Sequence, residues 1–180
     1  MTNRLRIAAL GALAISLHLS FPFACRAAQQ DFVTSLSAGT LRHGDLDGLI
    51  ILKEDNRPWA YTIDSRNMPV ERMGVRQECR IGNISVRLQS VDFPTTEAAE
   101  RAAEFHATNM AAAFRKVLPA QTEYHIGDTV WITDNAGNYA VLMRVERTCV
   151  LISCSDLEFR LRQDMALSTA RKIAQKIRTR

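Results

Sequence analysis

Apolar and polar residues alternate most strictly in the middle of the chain. Val75, Gln77, Cys79 and Ile81 alternate with Arg76, Glu78 and Arg80; after Gly82-Asn83, Ile84, Val86 and Leu88 alternate with Ser85, Arg87 and Gln89. A period of two on both sides of a Gly-Asn break predicts a hairpin with one face turned to a core. Upstream, residues 49–52 are a compact apolar run that predicts a strand. Glu54-Asp55-Asn56-Arg57-Pro58 reads as a turn, and residues 59–63 as the returning strand. Pro69 and Gly74 bracket a loop. Downstream, residues 129–133, 139–145 and 149–154 predict three further strands, separated by turns at 134–138 and 146–148.

Two stretches carry helical periodicity. Pro94-Thr95-Thr96-Glu97 opens the first, with a Thr cap and early acids suited to a helix N-terminus. Ala99, Ala103, Met110, Phe114 and Val117 share one face, with Phe105 and His106 near it, and Pro119 is expected to end the helix. Ser155-Asp156-Leu157-Glu158 has capping-box spacing and opens the second. Leu161, Met165, Ala166, Ala170, Ile173 and Ile177 form its expected buried stripe. A short helix is also expected at 31–37. The order is strands, helix, strands, helix, which suggests two related halves. It predicts an α+β domain, with one antiparallel sheet of about six to seven strands and two long amphipathic helices packed on one face.

The N-terminus changes the setting of this domain. Arg4 and Arg6 precede an apolar run at 7–19, Pro22 follows, and Cys25-Arg26-Ala27 offers small residues where a signal peptidase reads. The run is shorter than the roughly 20 apolar residues of a spanning helix, so residues 1–27 are expected to be a cleaved signal and 28–180 one exported domain. Cys25 as a lipid-attachment site is disfavoured by Pro22 three places before it and Arg26 after it. The whole chain has 23 basic and 19 acidic residues; removing Arg4, Arg6 and Arg26 leaves 20 against 19, a net of +1. The basic balance therefore belongs to the leader, and a nucleic-acid partner loses its support. The expected location is periplasmic or secreted. Membrane contact is expected only through the signal before cleavage.

Export also bears on the cysteines. Cys79, Cys149 and Cys154 remain after cleavage. Cys149 and Cys154 lie five apart on one strand and point to opposite faces, so they do not bond each other. A bridge from Cys79 to one of them is weighed against three small buried thiols.

The stretch 84–178 contains Gly127-Asp128, a hairpin, and a strand ending at a capped terminal helix with Ala170-Arg171-Lys172-Ile173-Ala174 near its end. It resembles the C-terminal half of small exported bacterial proteins with a PsbP-like or lipoprotein sensor-domain fold. The resemblance implies that fold and a binding or accessory role rather than catalysis. It carries over no site residues.

Candidate chemistry is sparse. His43-Gly44-Asp45-Leu46-Asp47-Gly48 sets two carboxylates beside a His, a weak metal candidate. A calcium loop counted from Asp45 puts Leu49 and Asn56 at ligand positions, and a Gly-rich turn fits better. Residues 134–138 carry clustered oxygens that turn geometry alone explains. His125 and Asp128 are a weak base-and-orienter pair with no nucleophile motif to complete it. His106 is expected to be a boundary residue with a hydrogen bond. The final helix carries Arg160, Arg162, Arg171, Lys172, Lys176, Arg178 and Arg180. A basic amphipathic helix lying on an anionic membrane is weighed against cations at the C-terminal end that complement the dipole, and the second fits better because the apolar stripe is rich in small residues. Trp59, Tyr61, Tyr124, Trp131 and Tyr139 are either core residues or a patch on an uncovered sheet face.

These readings lead to a non-enzymatic exported binding or accessory module. It is expected to act through an open sheet face or hairpin loops on a protein or small ligand, with no cofactor. The alternatives are a periplasmic inhibitor or immunity-type protein, and a small hydrolase using His125 and Asp128.

Overall fold

The computed structural model describes residues 38–63, 69–114, 118–119, 124–135, 137–155 and 159–180. The chain divides into Met1–Val33 and Thr34–Arg180, and every described residue belongs to the second unit. The leader, Cys25, the expected helix at 31–37 and residues 156–158 of the capping box lie outside the described residues.

The elements follow in the order β1 (Leu49–Ile63), β2 (Pro69–Ile81), β3 (Ile84–Asp92), α1 (Thr96–Phe114), β4 (Leu118–Pro119), β5 (Thr129–Asn135), β6 (Asn138–Val145), β7 (Thr148–Ser155) and α2 (Phe159–Arg178). The strands form one antiparallel sheet in the order β1-β2-β3-β7-β6-β5-β4. The class is α+β, as the alternation of strands and helices predicts.

The β2–β3 hairpin is as the pattern requires. Ile81 pairs with Ile84 across Gly82-Asn83, and Gly82 has φ 59°. A positive φ at the first central residue fits a type II′ turn, which matches the twist of the flanking strands. On β3, Ile84, Val86 and Leu88 are buried while Ser85 and Arg87 are exposed.

The first strand departs from expectation. Glu54-Asp55-Asn56-Arg57-Pro58 is not a turn; it continues β1 for 15 residues, with Asp55 opposite Arg76 and Pro58 opposite Met73. The physical reason is position: β1 is an edge strand, where Pro is tolerated because its missing N–H faces no neighbour. Register shifts at Ile51/Lys53 and Trp59/Thr62 let this long strand bend. Likewise β2 begins at Pro69 rather than after Gly74. Gly74 stays in the ladder because a Cβ there would lie 2.6 Å from the Ser90 carbonyl oxygen. At the end of α1, Pro119 lies in β4, opposite Trp131, and the helix stops at Phe114.

The larger correction concerns layers: the two helices do not share a face. Ala166, Ala170, Ile173 and Ile177 of α2 cluster with Val141, Met143, Val150, Ile152 and Cys154. Ala99, Ala102, Ala103, Ala107 and Met110 of α1 cluster instead with Ala140, Leu142, Cys149 and Leu151. These sheet residues alternate along β6 and β7, and alternate residues point to opposite faces. The helices therefore sandwich β6 and β7 between them, and β6 is buried at every position after Asn138. A duplication about an axis normal to the sheet would put both helices on one side, so the two halves are not related in that way.

Each helix is built for its face. Thr95 caps α1, its hydroxyl accepting the Ala98 N–H at 3.2 Å. The alanines let α1 lie close enough for the Cys149 thiol to donate to the Ala99 carbonyl at 3.2 Å. The bulkier α2 buries Ile173 and Ile177 completely, each contributing about 1.5–3 kcal/mol. Leu161, expected in that stripe, is 48% exposed.

Candidate functional site

Each helix covers only part of its face, and the uncovered part has a distinct chemistry. α2 lies over β3, β6 and β7, and α1 over β5, β6, β7 and β1. On the α1 side, the hairpin end of β1, β2 and β3 is left open. Cross-strand register sets Ile50 beside Arg80, Arg80 beside Ser85, and Ser85 beside Ser155. The next row sets Lys53 beside Glu78, Glu78 beside Arg87, and Arg87 beside Ser153. The row after that runs from Asp55 through Arg76 to Gln89. This floor is polar and basic, while the same strands on their other face carry Cys79, Ile81, Val86 and Leu88, all buried.

The charges on the floor are only partly paired. Arg76 meets Glu78 at 2.6 Å. Lys53 and Arg57 both meet Asp55 Oδ2, at 3.2 and 3.1 Å. Burial works against ionisation of Asp55, but these two cations outweigh it and hold its carboxyl below the usual range. Arg80 and Arg87 are exposed and have no acidic partner among the described residues. The depression between Trp59, Gly74, Arg76 and Gln89 is shallow and encloses no cavity of ligand size. The floor is an open surface rather than a cavity.

The residues picked out from sequence fall elsewhere. In the first turn, Asp45 Oδ2 accepts from Lys176 Nζ at 2.6 Å and from the Arg42 N–H at 2.7 Å. Burial opposes ionisation of Asp45, but those contacts outweigh it and hold its carboxyl below the usual range. Lys176 also donates to the Thr40 carbonyl at 2.7 Å. Asp45 thus ties residues 40–45 to α2, while His43 and Asp47 are exposed. Among the described residues, no group of three or more His, Cys, Asp or Glu could hold a metal ion.

His125 and Asp128 are not brought together as base and orienter. Asp128 Oδ2 accepts from Arg144 Nη1 at 3.2 Å and from the Glu146 N–H at 2.7 Å. Its Oδ1 accepts from Arg178 at 3.4 Å. Arg144, largely buried, also donates to the Glu146 carbonyl at 3.1 Å. Asp128 is thus a knot between the β6–β7 turn and the end of α2. Gly127 permits it, since a Cβ there would lie 2.7 Å from the Arg144 carbonyl. Exposed His125, at φ 47°, has no hydrogen-bond partner among the described residues. Asp134 and Asn138 also serve structure: Asp134 meets Arg162 at 3.5 Å, and Asn138 accepts from Ser153 at 2.8 Å.

The three thiols are buried and free. Cys79 and Cys154 share a face but flank Val86, one on β2 and the other on β7. Two strand spacings are about 10 Å, beyond the reach of a disulfide. Cys149 lies on the other face, as its five-residue offset from Cys154 predicts. Of the two alternatives weighed from sequence, the described residues show three small buried thiols and no bridge from Cys79 to Cys149 or Cys154. Burial pushes the Cys79 thiol up to about 11 and those of Cys149 and Cys154 up to about 12, so all three are poor nucleophiles.

His106 is a boundary residue with a hydrogen bond: Trp59 Nε1–H donates to His106 Nε2, and their rings meet edge to face with centroids 4.8 Å apart. Burial pushes its pKa down to about 4. The aromatic patch does not form among the described residues. Trp59 and Tyr139 are buried, Tyr124 and Trp131 pack against the two cores, and Tyr61 lies outside the described side chains. The exposed large apolar residues are Ile50, Leu52, Met73 and Leu161. What sequence reasoning missed is the basic floor itself. Its signal was present in Arg76, Arg80 and Arg87, the outward positions of the clearest hairpin, but assembling them required the pairing of β1, β2 and β3. Among the described residues, no helix is long and apolar enough to cross a membrane.

No family model matches the chain, and none of the curated proteins is significantly similar to it. Among solved structures, the extracellular domain of PknH from Mycobacterium tuberculosis superposes with a TM-score of 0.49 at 13% identity, covering 82% of this chain and 96% of that one.

Proposed function

We propose that this protein is an exported, non-enzymatic binding module whose working surface is the open floor of β1–β3 beside α1. The observation that carries the reading is a pair of neighbouring exposed arginines, Arg80 and Arg87, with no acidic partner among the described residues. Elsewhere Asp45 and Asp128 anchor α2 and His106 holds Trp59, while exposed His43, Asp47 and His125 are not gathered into one site. Export is supported by the charged n-region, short apolar run and small residues near Ala27.

A photo-crosslinker placed at exposed Ser85, on the floor, tests the reading in the native host. It is expected to trap a molecule that the same group at Arg171, exposed on α2, does not. Equal capture from both positions overturns it. Recovery of the protein with residues 1–27 still attached overturns the export half of the proposal.

A further inference from the structure

We propose that the floor binds an acidic peptide segment in extended conformation, with carboxylates on alternate residues; the inference rests on the binding-module reading above. The floor carries five cations, Lys53, Arg57, Arg76, Arg80 and Arg87, against two carboxylates, Asp55 and Glu78. Asp55 takes up Lys53 and Arg57, and Glu78 takes up Arg76. Among the described residues two guanidinium groups of the floor are left over, and an Arg fork matches a carboxylate with two parallel N–H donors.

Their spacing selects the ligand. Arg80 faces Ser85 across the hairpin, and Arg87 lies two residues further along β3. Such diagonal neighbours sit about 7–8 Å apart. Side chains on one side of an extended peptide recur every ~6.7 Å, so consecutive outward carboxylates meet Arg80 and Arg87 in turn. Ser85 and Ser155 are exposed and paired in register beside Arg80, and each offers a hydroxyl. Ile50, 46% exposed, lies opposite Arg80 and gives an aliphatic residue of the segment something to cover.

The same geometry disfavours other anions. α1 packs on this face of the sheet and stands about 10 Å proud of it, which keeps a planar bilayer off the floor and leaves room for a single chain. Duplex nucleic acid presents a charge every ~1.7 Å, so its phosphates would meet Asp55 and Glu78 as well as the arginines. A peptide with spaced carboxylates avoids them.

The test is a titration of the purified protein with a short fluorescent peptide of alternating Glu and Thr, read by anisotropy. An alternating Lys and Thr peptide, polyphosphate and phosphatidylglycerol vesicles serve as comparisons. The Glu peptide is expected to bind, more weakly as salt rises, and to lose at least about tenfold in affinity in the Arg80→Ala/Arg87→Ala double variant. Arg171→Ala is expected to change nothing. Both floor arginines are exposed and make no ion pair among the described residues, so the double variant is expected to keep the wild-type melting curve. An undetectable Glu-peptide signal, equal binding of the Lys peptide, tighter binding of vesicles or polyphosphate, or equal loss in Arg171→Ala overturns the proposal. If the peptide fails while crosslinking at Ser85 remains selective, the ligand class falls and the binding module stands. If both fail, both fall.

Discussion

Two side chains show how single residues hold this fold. Gln77 is fully buried, and its amide copies a strand partner: Oε1 accepts the Leu41 N–H at 2.8 Å, and Nε2 donates to the Leu41 carbonyl at 3.1 Å. Gln77→Leu keeps the volume but strands both Leu41 groups away from water. A loss of about 2–4 kcal/mol is expected in urea unfolding, because each buried unpaired group costs about 1–3 kcal/mol. His106 makes stability depend on pH. Its imidazole is neutral in the fold down to about pH 4, whereas an unfolded His takes up a proton near pH 6.5. Its contribution is therefore complete above pH 6.5 and is lost as pH falls towards 4, by up to about 3 kcal/mol. His106→Gln keeps an acceptor for Trp59 without the titration, so its urea midpoint should fall less over that window. A parallel fall in both proteins would show the effect lies elsewhere. Sequence alone placed Gln77 on the core face and His106 at a boundary. It did not give their partners, which lie 36 and 47 residues away and are brought near only by the closed sheet.

At the scale of elements, the strands and helices whose patterns are local were legible, and the errors came where context overrode composition. Residues 54–58 have turn chemistry but sit on an edge, where Lys53 and Arg57 straddle Asp55 and the strand runs on. The side of the sheet taken by each helix was misjudged, although one signal was available: residues 139–145 are apolar at six of seven positions, too continuous for a strand with one wet face. α1 answers that second face with alanines. Ala103→Leu, at a site with no exposure, should cost about 1–3 kcal/mol by forcing the helix off the sheet, visible as a lowered thermal midpoint. The β6–β7 turn carries strain of its own: Glu146 has φ 52°, a left-handed conformation that costs a side chain about 1–2 kcal/mol. Glu146→Gly, which keeps the N–H bonded to Asp128, should hold or raise the thermal midpoint; a drop of several degrees would contradict that account.

For the whole molecule, the absence of a bridge from Cys79 means that Thr34–Arg180 holds together by packing and hydrogen bonds. Cys79, Cys149 and Cys154 should resist a thiol reagent under native conditions and react only on unfolding, and reductant should leave the melting temperature unchanged. Prompt labelling of the folded protein, or a melting temperature that falls with reductant, would count against the buried-thiol picture. The floor was half legible at this scale. An uncovered sheet face was expected, but its place and its charge followed only from the division of the two helices between the faces.

That division also dictates when the chain can finish folding. The helix of the first half rests partly on strands made in the second, and the sheet is joined by the β3–β7 ladder that runs from Ser85 opposite Ser155 to Asp92 opposite Thr148. A ribosome must release nearly the entire polypeptide before the seam can close. Until then the alanine-lined spiral leans only on Trp59, Val91 and Phe93 of its own half, and a fragment ending at Phe114 should show much less helical circular dichroism than the same residues in the whole protein. Such late closure slows folding, because the contacts that join the two meanders are distant in sequence.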